Sequence, residues 1–130
     1  MALSVLALTG PASASDEETR KICAAAEERY QDMAVDLPSD DGVTIVLMYK
    51  YTFCPKTLEV PQGTTLRWIN VDKRTSHSVW FKEDGGEESE RLFPEEFVDM
   101  TMSEPGTYNY ICGPHGDQED MRAQVTVTAQ

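Results

Sequence analysis

His77, Cys112, His115 and Met121 are the residues of this chain whose types and spacing could do chemistry. The last three share one stretch, Cys112-Gly113-Pro114-His115-Gly116-Asp117-Gln118-Glu119-Asp120-Met121, and His77 lies well upstream. Two imidazoles, a thiolate and a thioether make the donor set of a mononuclear type 1 copper site. The sulfur donors are soft and suit Cu(I), while imidazole accepts both oxidation states. An ion held by such a set suits neither state fully, so it gains and loses one electron with little rearrangement. The chain has only two histidines, and both stand in this set. The bland alternative is that a buried Cys, a stray His and a Met beside a strand are packing residues. A lone Cys-x-x-His pair would leave that alternative ahead, whereas all four donors together favour copper.

The flanks of these residues carry a resemblance. Phe53-Cys54-Pro55 leads into Val60-Pro61-Gln62-Gly63 and then Trp68-Ile69-Asn70. The segment His77-Ser78-Val79-Trp80-Phe81 holds the first His, and Pro105-Gly106-Thr107-Tyr108-Asn109-Tyr110-Ile111 leads into Cys112. In combination these motifs resemble the cupredoxin family, the small copper proteins that include plastocyanin and pseudoazurin. The resemblance spans about residues 43 to 130. It implies one copper ion held by His77, Cys112, His115 and Met121. It also implies that the edge of His115 reaches the surface within an apolar patch, as ligand and electron port at once. Plastocyanin-like members carry an acidic docking patch near the place of Lys82 to Glu90, where this chain has Glu83, Asp84, Glu87, Glu88 and Glu90. A solvated acidic loop is the plainer reading of that run. Two departures stand out. Five residues separate His115 from Met121, more than in many members, and Ser78 follows the first His where plastocyanin-like members often carry Asn. The second departure changes the hydrogen bonding expected around the sulfur.

The elements that must position these donors can be read from periodicity. From residue 15 to about 33 the pattern is helical, with Ser15 and Glu18 spaced as a capping box. Ile22, Ala26, Tyr30 and Met33 form one apolar stripe that should pack on the rest of the domain. Residues 36 to 42 read as a loop. From Val43 the period becomes two. Val43 to Tyr49 is apolar on both faces and suggests a central strand. Leu66, Trp68 and Asn70 alternate with Thr65, Arg67 and Ile69. Val98, Met100 and Met102 share a face, as do Tyr108, Tyr110 and Cys112, and Ala123, Val125 and Val127. Turn residues punctuate these runs at Pro61-Gln62-Gly63, Gly85-Gly86 and Pro105-Gly106. Short strands at this spacing predict an all-β, Greek-key antiparallel β-sandwich with an N-terminal helical extension. Met100, Met102, Trp68 and Trp80 are expected in its core.

Composition bounds the rest. The chain has 130 residues, enough for one core. Eleven basic against 23 acidic residues give a net charge of −12, which argues against nucleic acid and anionic membranes as partners. Leu3 to Leu8 is apolar, and Ala12-Ser13-Ala14 matches an export cleavage pattern, although the usual basic start is missing. Residues 1–14 are therefore expected to be an export signal, whole or truncated, followed by a helix and loop at 15–42 and a copper domain at 43–130. Export implies an oxidising space such as the periplasm. With Cys112 on copper, Cys23 and Cys54 remain, and the compartment favours a disulfide between them. Two free thiols, or a second copper site using Cys54 and Met48, are the remaining options.

The expected function is a mobile single-electron carrier between redox proteins, with a basic c-type cytochrome among the candidate partners. A monomer without a membrane anchor is expected. The rival is a copper-tolerance or copper-handling protein. An enzyme such as a copper nitrite reductase or oxidase would need a second metal site, and both histidines are already used.

Overall fold

A computed structural model of the protein describes residues 14–130. The expected export signal, save its last residue, lies outside them. Helix α1 runs Ala14–Met33, with Asp16 and Glu17 in its first turn where the helix dipole favours negative charge. Because the helix already includes Ser15, its cap also falls outside the described residues. A short 3₁₀ turn at Ala34–Asp36 follows, and the chain becomes extended at Leu37, the residue before Pro38, where proline disfavours helix.

Seven strands follow: β1 Val43–Tyr49, β2 Thr52–Cys54, β3 Thr57–Pro61, β4 Thr64–Asn70, β5 Phe97–Met102, β6 Gly106–Ile111 and β7 Arg122–Thr128. They form a four-stranded sheet in the order β2-β1-β4-β5 and a three-stranded sheet in the order β3-β7-β6. The sandwich matches expectation but its pairing is mixed, not purely antiparallel. β1 runs parallel to β4, and β3 parallel to β7. Long connections between paired strands permit this, whereas tight hairpins would force antiparallel neighbours.

Alternation explains which side chains meet. Val46, Met48, Leu66 and Trp68 on the first sheet pack against Tyr110, Ala123, Val125 and Val127 on the second. The intervening Leu47, Tyr49 and Ile69 point to the other face, where Ala26, Tyr30 and Met33 of α1 cover them. This double burial is why β1 is apolar on both faces. Trp68 is fully buried, and Met100 and Met102 pack partly buried against the core. Trp80 differs from expectation. It is only partly buried, with its indole N–H donating to the Gly86 carbonyl at 2.9 Å and Lys82 over its ring.

Cys23 of α1 is disulfide-bonded to Cys54 of β2, 31 residues away in sequence. Cys54 therefore cannot join Met48 in a second metal site, and Met48 lies in the opposite core cluster. The connections from β4 to β5 and from β6 to β7 reach the same end of the sandwich. They are tied there by a bridge between Trp80 and Ile111.

Replacing Cys23 and Cys54 together by Ser should lower unfolding stability by roughly 3–4 kcal/mol, the chain-entropy worth of a loop this long. Chemical denaturation of the copper-free protein measures it. An unchanged midpoint would show that the helix is held by its apolar stripe alone.

Candidate metal centre

Each donor arrives on a segment fixed by backbone hydrogen bonds. His77 exchanges both backbone bonds with Leu92, at 3.0 and 2.8 Å. Asn70 braces the intervening loop, its side-chain NH₂ donating to the Thr75 and Leu92 carbonyls at 2.8 Å and its oxygen accepting the Asp72 N–H at 2.9 Å. Cys112 directly follows β6, and its N–H donates to the Met121 carbonyl at 3.0 Å. The His115 carbonyl accepts from the N–H groups of Glu119 and Met121, both at 3.1 Å. The five residues between His115 and Met121 thus fold outward as a closed turn. Met121 returns to the start of β7 despite the longer spacing.

The structure brings the three expected N and S donors together. The Cys112 sulfur lies 3.4 Å from His115 Nδ1 and 3.8 Å from His77 Nδ1. All three donor atoms fall within 4.8 Å of one another, the one such group among the described residues. One ion with bonds of roughly 2.0–2.3 Å to N and S could touch all three. Met121 belongs to the core cluster that includes Cys112. His77, Cys112 and Met121 are 0% exposed, and His115 is partly exposed. A soft thiolate and two imidazoles in a water-poor pocket fit copper and offer little to a hard cation such as Mg²⁺.

The surroundings orient these groups. His77 Nε2 lies 2.5 Å from Asp72 Oδ2, which turns Nδ1 towards the sulfur. Asp72 also accepts the Lys50 N–H, at 3.3 and 3.4 Å to its two oxygens. Burial works against a charge on His77, but its hydrogen bonds to Asp72 and Cys112 outweigh it and raise the imidazole pKa. Burial, with the His77 and Arg91 charges, lowers that of His115 against Glu119 and Asp72. The Ser78 N–H donates to the Cys112 sulfur at 3.4 Å, and the Ser78 hydroxyl accepts the Gly113 N–H at 2.9 Å. Ser78 thus couples the two ligand segments.

Asp72 and Tyr51 were not singled out from sequence. Lys50 and Tyr51 form the two-residue turn between β1 and β2, both with positive φ, 46° and 59°. That turn type suits the twist of a hairpin. It sets the Tyr51 ring edge-on to His115, centroids 4.8 Å apart, and 6.4 Å from His77. An acid placed between Asn70 and His77 was the available signal for Asp72. No sequence spacing marks Tyr51.

Comparison with known proteins agrees with this geometry. The family model for copper-binding proteins of the plastocyanin/azurin type matches residues 43–128. The chain is 29% identical to amicyanin-alpha of Methylorubrum extorquens over 108 residues, covering 80% of this chain and 85% of that protein. It is 29% identical to plastocyanin of Daucus carota over 104 residues, covering 72% of this chain and 98% of that one. Among solved structures, the reduced Cu(I) form of an amicyanin mutant at pH 4 superposes with a TM-score of 0.62 at 30% identity, covering 73% of this chain and 89% of that one.

Cys112→Ser should remove the visible thiolate-to-copper absorption, and full colour in that variant would rule out Cys112 as ligand. Asp72→Asn should weaken copper retention roughly 10–100-fold in chelator competition, because His77 loses its charged anchor. Retention equal to the parent protein would show that packing alone orients the ring.

Proposed function

The chain belongs to the plastocyanin/azurin family of copper-binding proteins, and on that premise we propose that it is an exported, mobile carrier of single electrons between redox proteins. The observation that supports this most is the burial gradient across the donor set. Two donors and the nearby Met121 are sealed from water, and His115 alone has an exposed edge. Bound copper supplies a one-electron couple. His77, Cys112 and His115 would hold it, with Met121 as the fourth donor. Backbone bonds fix both ligand segments, so little has to move when charge changes, and a small reorganisation makes transfer fast. Tyr51, 40% exposed, sits beside His115 and offers an aromatic rim to a docking protein.

Residues 1–14 are read as the export signal, 15–42 as a helical brace and 43–130 as the copper domain. A periplasmic location suits the disulfide. Glu83, Asp84, Glu87, Glu88 and Glu90 are all exposed. They would steer a basic partner such as a c-type cytochrome, chiefly by raising the association rate. Copper handling has less behind it, since the C-terminal stretch is not rich in His or Met.

The copper-loaded protein should show a reversible one-electron wave and reduce a basic c-type cytochrome at a rate that falls steeply with salt. A site that holds copper but exchanges no electron with any soluble redox protein would overturn the carrier reading. Met121→Leu should keep copper and raise the potential, because losing the thioether disfavours Cu(II) more than Cu(I). Unchanged spectrum and potential would assign the fourth donor place to another group.

A further inference from the structure

One acid of the exposed run, Glu88, is bonded to the segments that carry the donors. The Glu88 carboxylate accepts the Ser78 hydroxyl proton at 3.1 Å. The same hydroxyl accepts the Gly113 N–H at 2.9 Å, and the Ser78 N–H points at the Cys112 sulfur. The carboxylate also lies directly against Gly113. A Cβ at that position would fall 1.3 Å from Glu88 Oε1, so no larger residue fits while the carboxylate is there. The placement is built into the backbone. Ser89 N–H donates to the Val79 carbonyl, and the Val79 N–H donates to the Ser89 hydroxyl, both at 2.9 Å. Among the described residues the ion pairs are Arg67–Asp99, His77–Asp72 and Arg122–Asp120. No described cation is paired with Glu88.

We propose that Glu88, acting through Ser78, is a positioning residue that lowers the reduction potential of the copper site. The inference rests on the copper reading above. Two effects act in the same direction. A negative charge seated on the residue next to the thiolate favours the more positive Cu(II) over Cu(I). A serine has one hydroxyl proton, and the charged acceptor holds it. The hydroxyl then presents lone pairs to Gly113 and has no proton left for the sulfur. A thiolate with fewer hydrogen bonds donates more strongly to the metal and lowers its potential. Glu88 itself is exposed, so solvent and salt weaken the first effect but not the second.

Glu88→Gln removes the charge and keeps an acceptor, whereas Glu88→Ala removes both. Glu87→Gln neutralises the neighbouring exposed acid and serves as the control. In the copper-loaded proteins, the potential should rise in Glu88→Gln, rise further in Glu88→Ala and stay at the parent value in Glu87→Gln. The difference between Glu88→Gln and the parent should shrink as salt increases. In the copper-free protein, amide exchange at Gly113 should accelerate roughly fivefold in Glu88→Ala, as its acceptor loses its fixed orientation. Potentials in both Glu88 variants equal to that of Glu87→Gln would overturn the proposal, as would unchanged Gly113 exchange in Glu88→Ala. A parent protein that holds no copper would instead defeat the proposed function, leaving the exchange measurement to judge the contact.

Discussion

A thiolate sealed from water is the constraint on which the site depends. Cys112 is fully buried among apolar neighbours. Charge in such a place is strongly disfavoured unless other charges and hydrogen bonds offset its lost hydration. The protein provides one hydrogen bond from the Ser78 backbone and two imidazole nitrogens within 4 Å. A bound copper ion would supply the remainder. The fold therefore has to deliver four side chains from two connections to one end of the sandwich. It does so with backbone bonds that do not need the metal.

The same segments that stabilise the sandwich also aim the ligands. Helix α1 covers the outer face of the four-stranded sheet and is tied to β2 by the Cys23–Cys54 bond. From that helix Arg29 donates to the Val71 carbonyl, beside Asp72. Asp72 receives the Lys50 N–H on one side and the His77 ring on the other. Phe53, next to Cys54, packs edge-on against Tyr110, centroids 4.7 Å apart, two residues before the cysteine ligand. The helix is remote from the donors yet braces the strand ends that carry them.

Charge is layered around this end of the molecule. The acid closest to the donors, Asp72, is buried and bonded to a ring nitrogen. Glu88 lies one shell out, seated on Gly113 through Ser78. The remaining acids of that loop are exposed, Glu83 among them accepting the Asn109 side-chain amide at 3.2 Å. Buried Asp72 acts with little screening, exposed Glu88 acts through its bond to Ser78, and the other exposed acids act on an approaching partner and weaken with salt.

Much of this was legible in the sequence. Alternation in β1, β4 and β7 assigned inward and outward residues, because a strand's side chains must alternate whatever the partner strand is. The stripe Ile22, Ala26, Tyr30 and Met33 announced a helix that needs an apolar surface. Cys112, His115 and Met121 declared themselves by chemistry and proximity, and His77 by being the other histidine. Tertiary structure alone decided which strands run parallel, since that depends on where long connections return. It made Trp80 a partly exposed residue whose N–H bonds a loop carbonyl. It placed Asp72 behind His77, Tyr51 beside His115 and Glu88 against Gly113. Those contacts join residues on separate segments, and their geometry depends on backbone turns and close approaches that no local spacing encodes.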